Sequence, residues 1–151
     1  MLILALTAVL LAPQQPPQVI SRRVLDEICL PFVTSGTGDP VAAMEFVATG
    51  DDGETRQFVS PDDAWLLRLT TSGTAEDGDL TRLCVLQARR GGLQAVRDGV
   101  AEPLEAAGFV ADPEMPADRP IWTREGVTVS LRQNEGRATL MRVSWSALDE
   151  G

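Results

Sequence analysis

The sequence predicts an α+β domain, most simply an antiparallel sheet of about five strands with helices covering one face, in the order ααββαβββ. Three observations carry that expectation. In the last third, PIWTR, VTVSLRQ and RATLMRVSW alternate apolar and polar residues with a period of two. Glu125-Gly126 and Asn134-Glu135-Gly136 separate them and are short enough to force antiparallel hairpins. Two further apolar runs, 64–70 and 80–88, flank the turn-rich TSGTAEDGD and read as a hairpin with a long tip. Elsewhere the apolar spacing is helical.

The elements follow in order. MLILALTAVLLA is apolar apart from Thr7 and stops at Pro13. A helix of this length spans roughly half of a bilayer core, so residues 1–12 read as a signal-peptide-like segment and not as a stable membrane span. No Lys or Arg precedes the run, and no small-x-small cleavage site follows from Ala12. Residues 13–20 form a Pro/Gln-rich linker, because its prolines remove backbone donors and fix the backbone angle. A single domain then occupies 21–148, long enough to bury one core.

In SRRVLDEICLPFV, residues Val24, Leu25, Ile28, Cys29 and Phe32 share a helical face, with Ser21 as the expected cap. Pro31 is expected to kink or end this helix. A second short helix starts with Asp39 as N-cap and Pro40 at the first position, carries Ala43, Met44 and Val47, and closes at Gly50. Residues 51–63 read as loop. The segment 92–108 places Leu93, Val96, Val100, Leu104 and Ala107 at helical spacing, with Gly108 as the stop and Pro103 as a kink point. No internal repeat is visible.

Composition narrows the chemistry. Among the 151 residues there is no His, Lys or Tyr, so all 13 basic residues are Arg. Imidazole bases, Schiff-base amines and the commonest metal ligand are therefore missing. The formal charge of -9 disfavours nucleic acid, which needs a basic footprint. The adjacent pairs Arg22/Arg23 and Arg89/Arg90 read as solvated element ends. Acidic groups cluster at Asp51-Asp52-Gly53-Glu54, Asp62-Asp63 and Glu76-Asp77-Gly78-Asp79. None has the spacing of a calcium loop, so they read as acidic turns. No metal or cofactor site is assigned, and no catalytic residue.

Cys29 and Cys84 are the only cysteines. An even count in an exported chain favours one disulfide, and closing that loop would stabilise the fold by about 4 kcal/mol in the chain-entropy account. The alternative is two buried thiols packed as small apolar groups. Strand phase raises one conflict: Arg82 and Cys84 point the same way, so either Arg82 reaches out at the sheet edge or the pairing fails.

The same phase suggests a binding surface. Arg68, Arg124, Arg132 and Arg142 each fall on a different strand and could point outward among hydroxyls, with Trp122 exposed beside Arg124. Guanidinium forks bind anions bidentately. Trp65 and Trp145 are expected in the core. The reading that follows is a small exported protein, periplasmic or secreted, that acts as a non-enzymatic binding module for an unknown protein or anionic ligand of the cell envelope. The alternatives are a carboxylate-dependent hydrolase and an accessory or inhibitory protein acting on an envelope enzyme.

Overall fold

The computed structural model describes residues 15–89, 92–134 and 138–150. The apolar segment 1–12, the first two linker residues, Arg90 and the Glu135-Gly136 turn lie outside them.

The described residues open with a continuous helix over 17–35. It is α-helical at Pro17–Arg23 (α1), π-helical at Val24–Cys29, and α-helical again at Leu30–Ser35 (α2). It begins at Pro17, so the last four residues read as linker are helical. Proline is favoured at a first helical position because the N–H it lacks would be unpaired there anyway. Ser21 is consequently not a cap but an interior residue. It is fully buried, and its hydroxyl donates back to the carbonyls of Pro17 at 2.8 Å and Gln18 at 3.2 Å.

Pro31 neither ends nor breaks the helix. The turn before it widens, with the Leu30 amide donating to the Leu25 carbonyl five residues back. A wider turn relieves the crowding that a proline ring imposes on the carbonyl four residues earlier. The helix stops at Gly36, whose φ of 69° is the left-handed conformation open to glycine.

Helix α3 (Pro40–Met44) has the expected start: Asp39 Oδ1 accepts from the amides of Val41 at 3.0 Å and Ala42 at 3.2 Å. It ends at Met44, earlier than the expected Gly50, with Glu45 closing it at a φ of 57°. The chain then enters two strands where the sequence predicts a helix end and a loop: β1 (Val47–Asp51) and β2 (Thr55–Val59). Next come β3 (Trp65–Ser72), β4 (Thr81–Ala88), α4 (Leu93–Ala106), β5 (Val110–Ala111), β6 (Ile121–Arg124), β7 (Val127–Gln133) and β8 (Thr139–Ser146). A short 3-10 turn, Ala147–Glu150, follows.

Among the described residues the strands form one antiparallel sheet of eight strands, not about five, in the order β1-β2-β3-β4-β8-β7-β6-β5. A helix followed by a four-stranded meander thus occurs twice, and the last strands of the two meanders, β4 and β8, pair at the centre. The fold is α+β, as the patterning indicates.

Register sorts the two faces. Leu67, Leu86, Met141 and Leu131 form one row across β3, β4, β8 and β7, and Leu69, Cys84, Val143, Val129 and Trp122 form the next. These side chains are all at most 2% exposed and pack with Val24, Leu25, Ile28, Val96, Val100 and Leu104 from the helices. Each such side chain contributes about 1.5–3 kcal/mol on burial. Cys29 and Cys84 form a disulfide, with Cα atoms 5.4 Å apart and both residues fully buried, which joins the first helix to the central strand β4. An intramolecular disulfide suggests a non-reducing compartment.

The Arg82 conflict resolves without losing the disulfide. Arg82 shares the helix-facing side with Cys84 but lies beyond the end of the first helix. Its Nη1 donates to the Val33 carbonyl at 3.2 Å, and its guanidinium sits 5.5 Å from the Trp145 ring. It therefore satisfies a carbonyl of the last helical turn, where a cation also suits the helix dipole. No helix among the described residues is long and apolar enough to cross a membrane.

Candidate functional site

The helix over 17–35 and α4 pack with the buried rows on one face of the sheet, so the alternate strand positions form an open face. Across β2, β3, β4, β8, β7 and β6, one row reads Gln57, Arg68, Val85, Arg142, Ser130 and Ile121. The row on one side reads Thr55, Thr70, Leu83, Ser144, Thr128 and Thr123. On the other side Leu66, Gln87, Leu140 and Arg132 are in line. The sequence contains 22 acidic residues, yet none occupies a strand position on this face.

Three of the four arginines singled out from the sequence meet here. Arg68, Arg132 and Arg142 are all exposed and border a shallow depression of about 340 Å³. Its floor is Leu83, Val85 and Leu140, and hydroxyls from Thr55, Thr70 and Ser130 complete its wall. Thr55 and Thr70 are joined by a 2.8 Å hydrogen bond. No described residue forms an ion pair or hydrogen bond with any of the three guanidiniums. Leu140 is only 9% exposed although no helix covers it. Arg132 is its cross-strand partner, and long basic side chains lay their methylenes over apolar neighbours.

Arg124 and Trp122 do not belong to this surface. Both project from β6 to the helix side, and Trp122 is 2% exposed in the core. Arg124 donates to the Ala107 carbonyl just past α4 and lies 4.7 Å from the Phe109 ring. The expectation of an outward Trp-Arg pair is corrected. The two residues share a phase, and a tryptophan that enters the core carries the arginine two positions later to the same side. Trp65 is in the core at 5% exposure, whereas Trp145 is partly buried beneath Arg82.

The acidic clusters singled out from the sequence lie on separate turns. Asp51 accepts from the Gly53 amide, Asp52 from those of Glu54 and Thr55, Asp62 from Ser60 and Ala64, and Asp79 from the Thr74 amide. These are local turn bonds. The Thr55 amide, and then that of Glu54, hold Asp52 below the ordinary carboxylate value, which marks a stabilised anion and not a proton donor. Among the described residues no group of three or more His, Cys, Asp or Glu is placed to hold a metal ion.

A larger depression, about 510 Å³, lies between the first helix and the β2–β3 turn, near Ile20, Met44 and Trp65. Its one cation is engaged, since Arg23 bonds Glu27 and the Ala43 carbonyl, and its Asp62 bonds Ser60. The arginine depression, with its cations unspent, is the stronger candidate for a ligand.

No protein-family model, curated protein or solved structure matches the chain. The site is therefore read from its own chemistry.

Proposed function

We propose that this is an exported, non-enzymatic binding module, periplasmic or secreted, that takes an anionic partner of the cell envelope on the open face of its sheet. One observation carries the reading: Arg68, Arg132 and Arg142 converge on that face with no acidic strand neighbour, in a chain whose overall charge is -9. Like charges on one face oppose one another, and solvent or a bound anion offsets that repulsion. The guanidinium fork matches carboxylate and phosphate geometry, and the flanking hydroxyls add donors. The buried disulfide supports export, since such bonds persist in oxidising compartments.

Calorimetric titration of the oxidised protein with citrate tests the reading. Binding is expected, weakening as salt is added because the contacts are charged and solvent-accessible. The triple variant Arg68→Gln/Arg132→Gln/Arg142→Gln should show none. A wild-type protein blind to citrate, or a triple variant that binds as well, contradicts the proposal.

A further inference from the structure

The arrangement of charge within the depression is directional. Arg68 stands on β3 and Arg142 on β8, in one register row with only Val85 of β4 between them. Two strand spacings put their backbones about 10 Å apart. Arg132, on β7, is diagonal to Arg142, which faces Ser130 directly. The cations therefore stand at opposite ends, one on the β3 side and two on the β8–β7 side.

Each end also carries hydroxyls. Thr70 is two residues from Arg68 on the same face and is bonded to Thr55, while Ser130 is two residues from Arg132. Between the ends the floor is aliphatic: Leu83, Val85 and Leu140. A single compact anion would engage one end and leave the other cations unpaired over apolar surface. A molecule with an anionic group at each end and methylenes between would satisfy both ends and cover the floor. A protein partner fits less well, because interface cores are rich in aromatic anchors and the rows of this face contain none.

We infer that the depression bounded by Arg68, Arg132 and Arg142 is a subsite for a small aliphatic dicarboxylate, its two carboxylates held at opposite ends and its methylenes over Leu83, Val85 and Leu140. The inference rests on the reading that this face binds anions and adds the class of ligand. Specificity comes from the spacing of the two ends: a chain too short leaves one end empty, and one too long must fold or overhang.

Calorimetric titration with α,ω-dicarboxylates from succinate to sebacate, with monocarboxylates of matching length and with a short polyglutamate peptide, tests it. Affinity should pass through a maximum at one chain length, where the dicarboxylate binds roughly tenfold or more tightly than its monocarboxylate, the ratio for one charged hydrogen-bonding contact. Arg68→Gln should reduce the best dicarboxylate to the monocarboxylate level. Affinity that is flat with length, or equal for mono- and dicarboxylates, overturns this inference and leaves the anion-binding reading standing. Polyglutamate binding more tightly than every dicarboxylate also overturns it, in favour of a protein partner. Failure of every anion to bind overturns both.

Discussion

Gly99 of α4 lies so close to Ser21 of α1 that a single methyl group added at Gly99 would overlap the Ser21 hydroxyl and the Gln18 carbonyl. The two helices that cover the sheet thus meet backbone to side chain, with the Ser21 hydroxyl turned back on its own helix. Gly99→Ala should cost about 1–3 kcal/mol, because overpacking at a backbone contact cannot be relieved by a rotamer change. Thermal unfolding checks it, with Gly50→Ala as the control. A β-carbon at Gly50 meets only ordinary contacts with Gln57, so its effect should stay within about 0.5 kcal/mol.

The disulfide should be both stabilising and shielded. Removing it in Cys29→Ala/Cys84→Ala should lower stability by up to about 4 kcal/mol, as expected for a loop of this length. Both cysteines are fully buried, so reductant plus an alkylating agent should leave the native protein unlabelled until denaturant is added. Mass spectrometry reads the outcome. Rapid labelling of both thiols under native conditions would contradict the buried geometry.

Two arginines on neighbouring strands should behave oppositely. Arg82→Gln removes the bond to the Val33 carbonyl and the stacking on Trp145, and should cost about 1–2 kcal/mol. Arg142→Gln removes no described hydrogen bond or ion pair, so denaturant unfolding should show a change within about 0.5 kcal/mol, or a gain. A large loss at Arg142 would mean that the residue serves the fold and not a ligand.

Acid should separate two residues of the first helix. Hydrogen bonds from Arg23 hold Glu27 below the usual carboxylate range. A depressed native pKa stabilises the fold above the unfolded carboxylate value, and that contribution is lost as pH falls through the native value. Asp26 runs the other way: partial desolvation of its carboxylate raises its pKa despite the nearby Arg22, so its charge disfavours the fold above the raised value. Glu27→Gln should therefore lower stability at neutral pH, and Asp26→Asn should raise it, with both effects fading in acid. Chemical denaturation across that range measures them. A loss of stability in Asp26→Asn at neutral pH would show that the Arg22 pairing outweighs burial.

What the sequence revealed follows from where side chains are buried. Strands β3, β4, β7 and β8 were legible because alternate residues enter the core, and the same phase placed Arg68, Arg132 and Arg142 outward. Strand β1 was missed because all five of its residues are exposed, so no period marks it. Strand β5 is a two-residue edge, and in β2 only Phe58 is buried. Edge strands owe their existence to backbone pairing with a neighbour, which leaves little trace in composition. The helix start at Pro17 was hidden because proline at a first helical position resembles linker proline. The signal for Arg124 is its shared phase with Trp122: a tryptophan in the core puts the arginine on the helix side.

Amide-detected NMR of the oxidised protein during a citrate titration tests the central claim most directly, because it reports where the anion sits. The account predicts shifts concentrated on β3, β4, β7 and β8 around Arg68, Val85, Ser130, Arg132 and Arg142, with α4 and the acidic turns unmoved. Shifts confined to the helix-covered side, or no shifts, would contradict it.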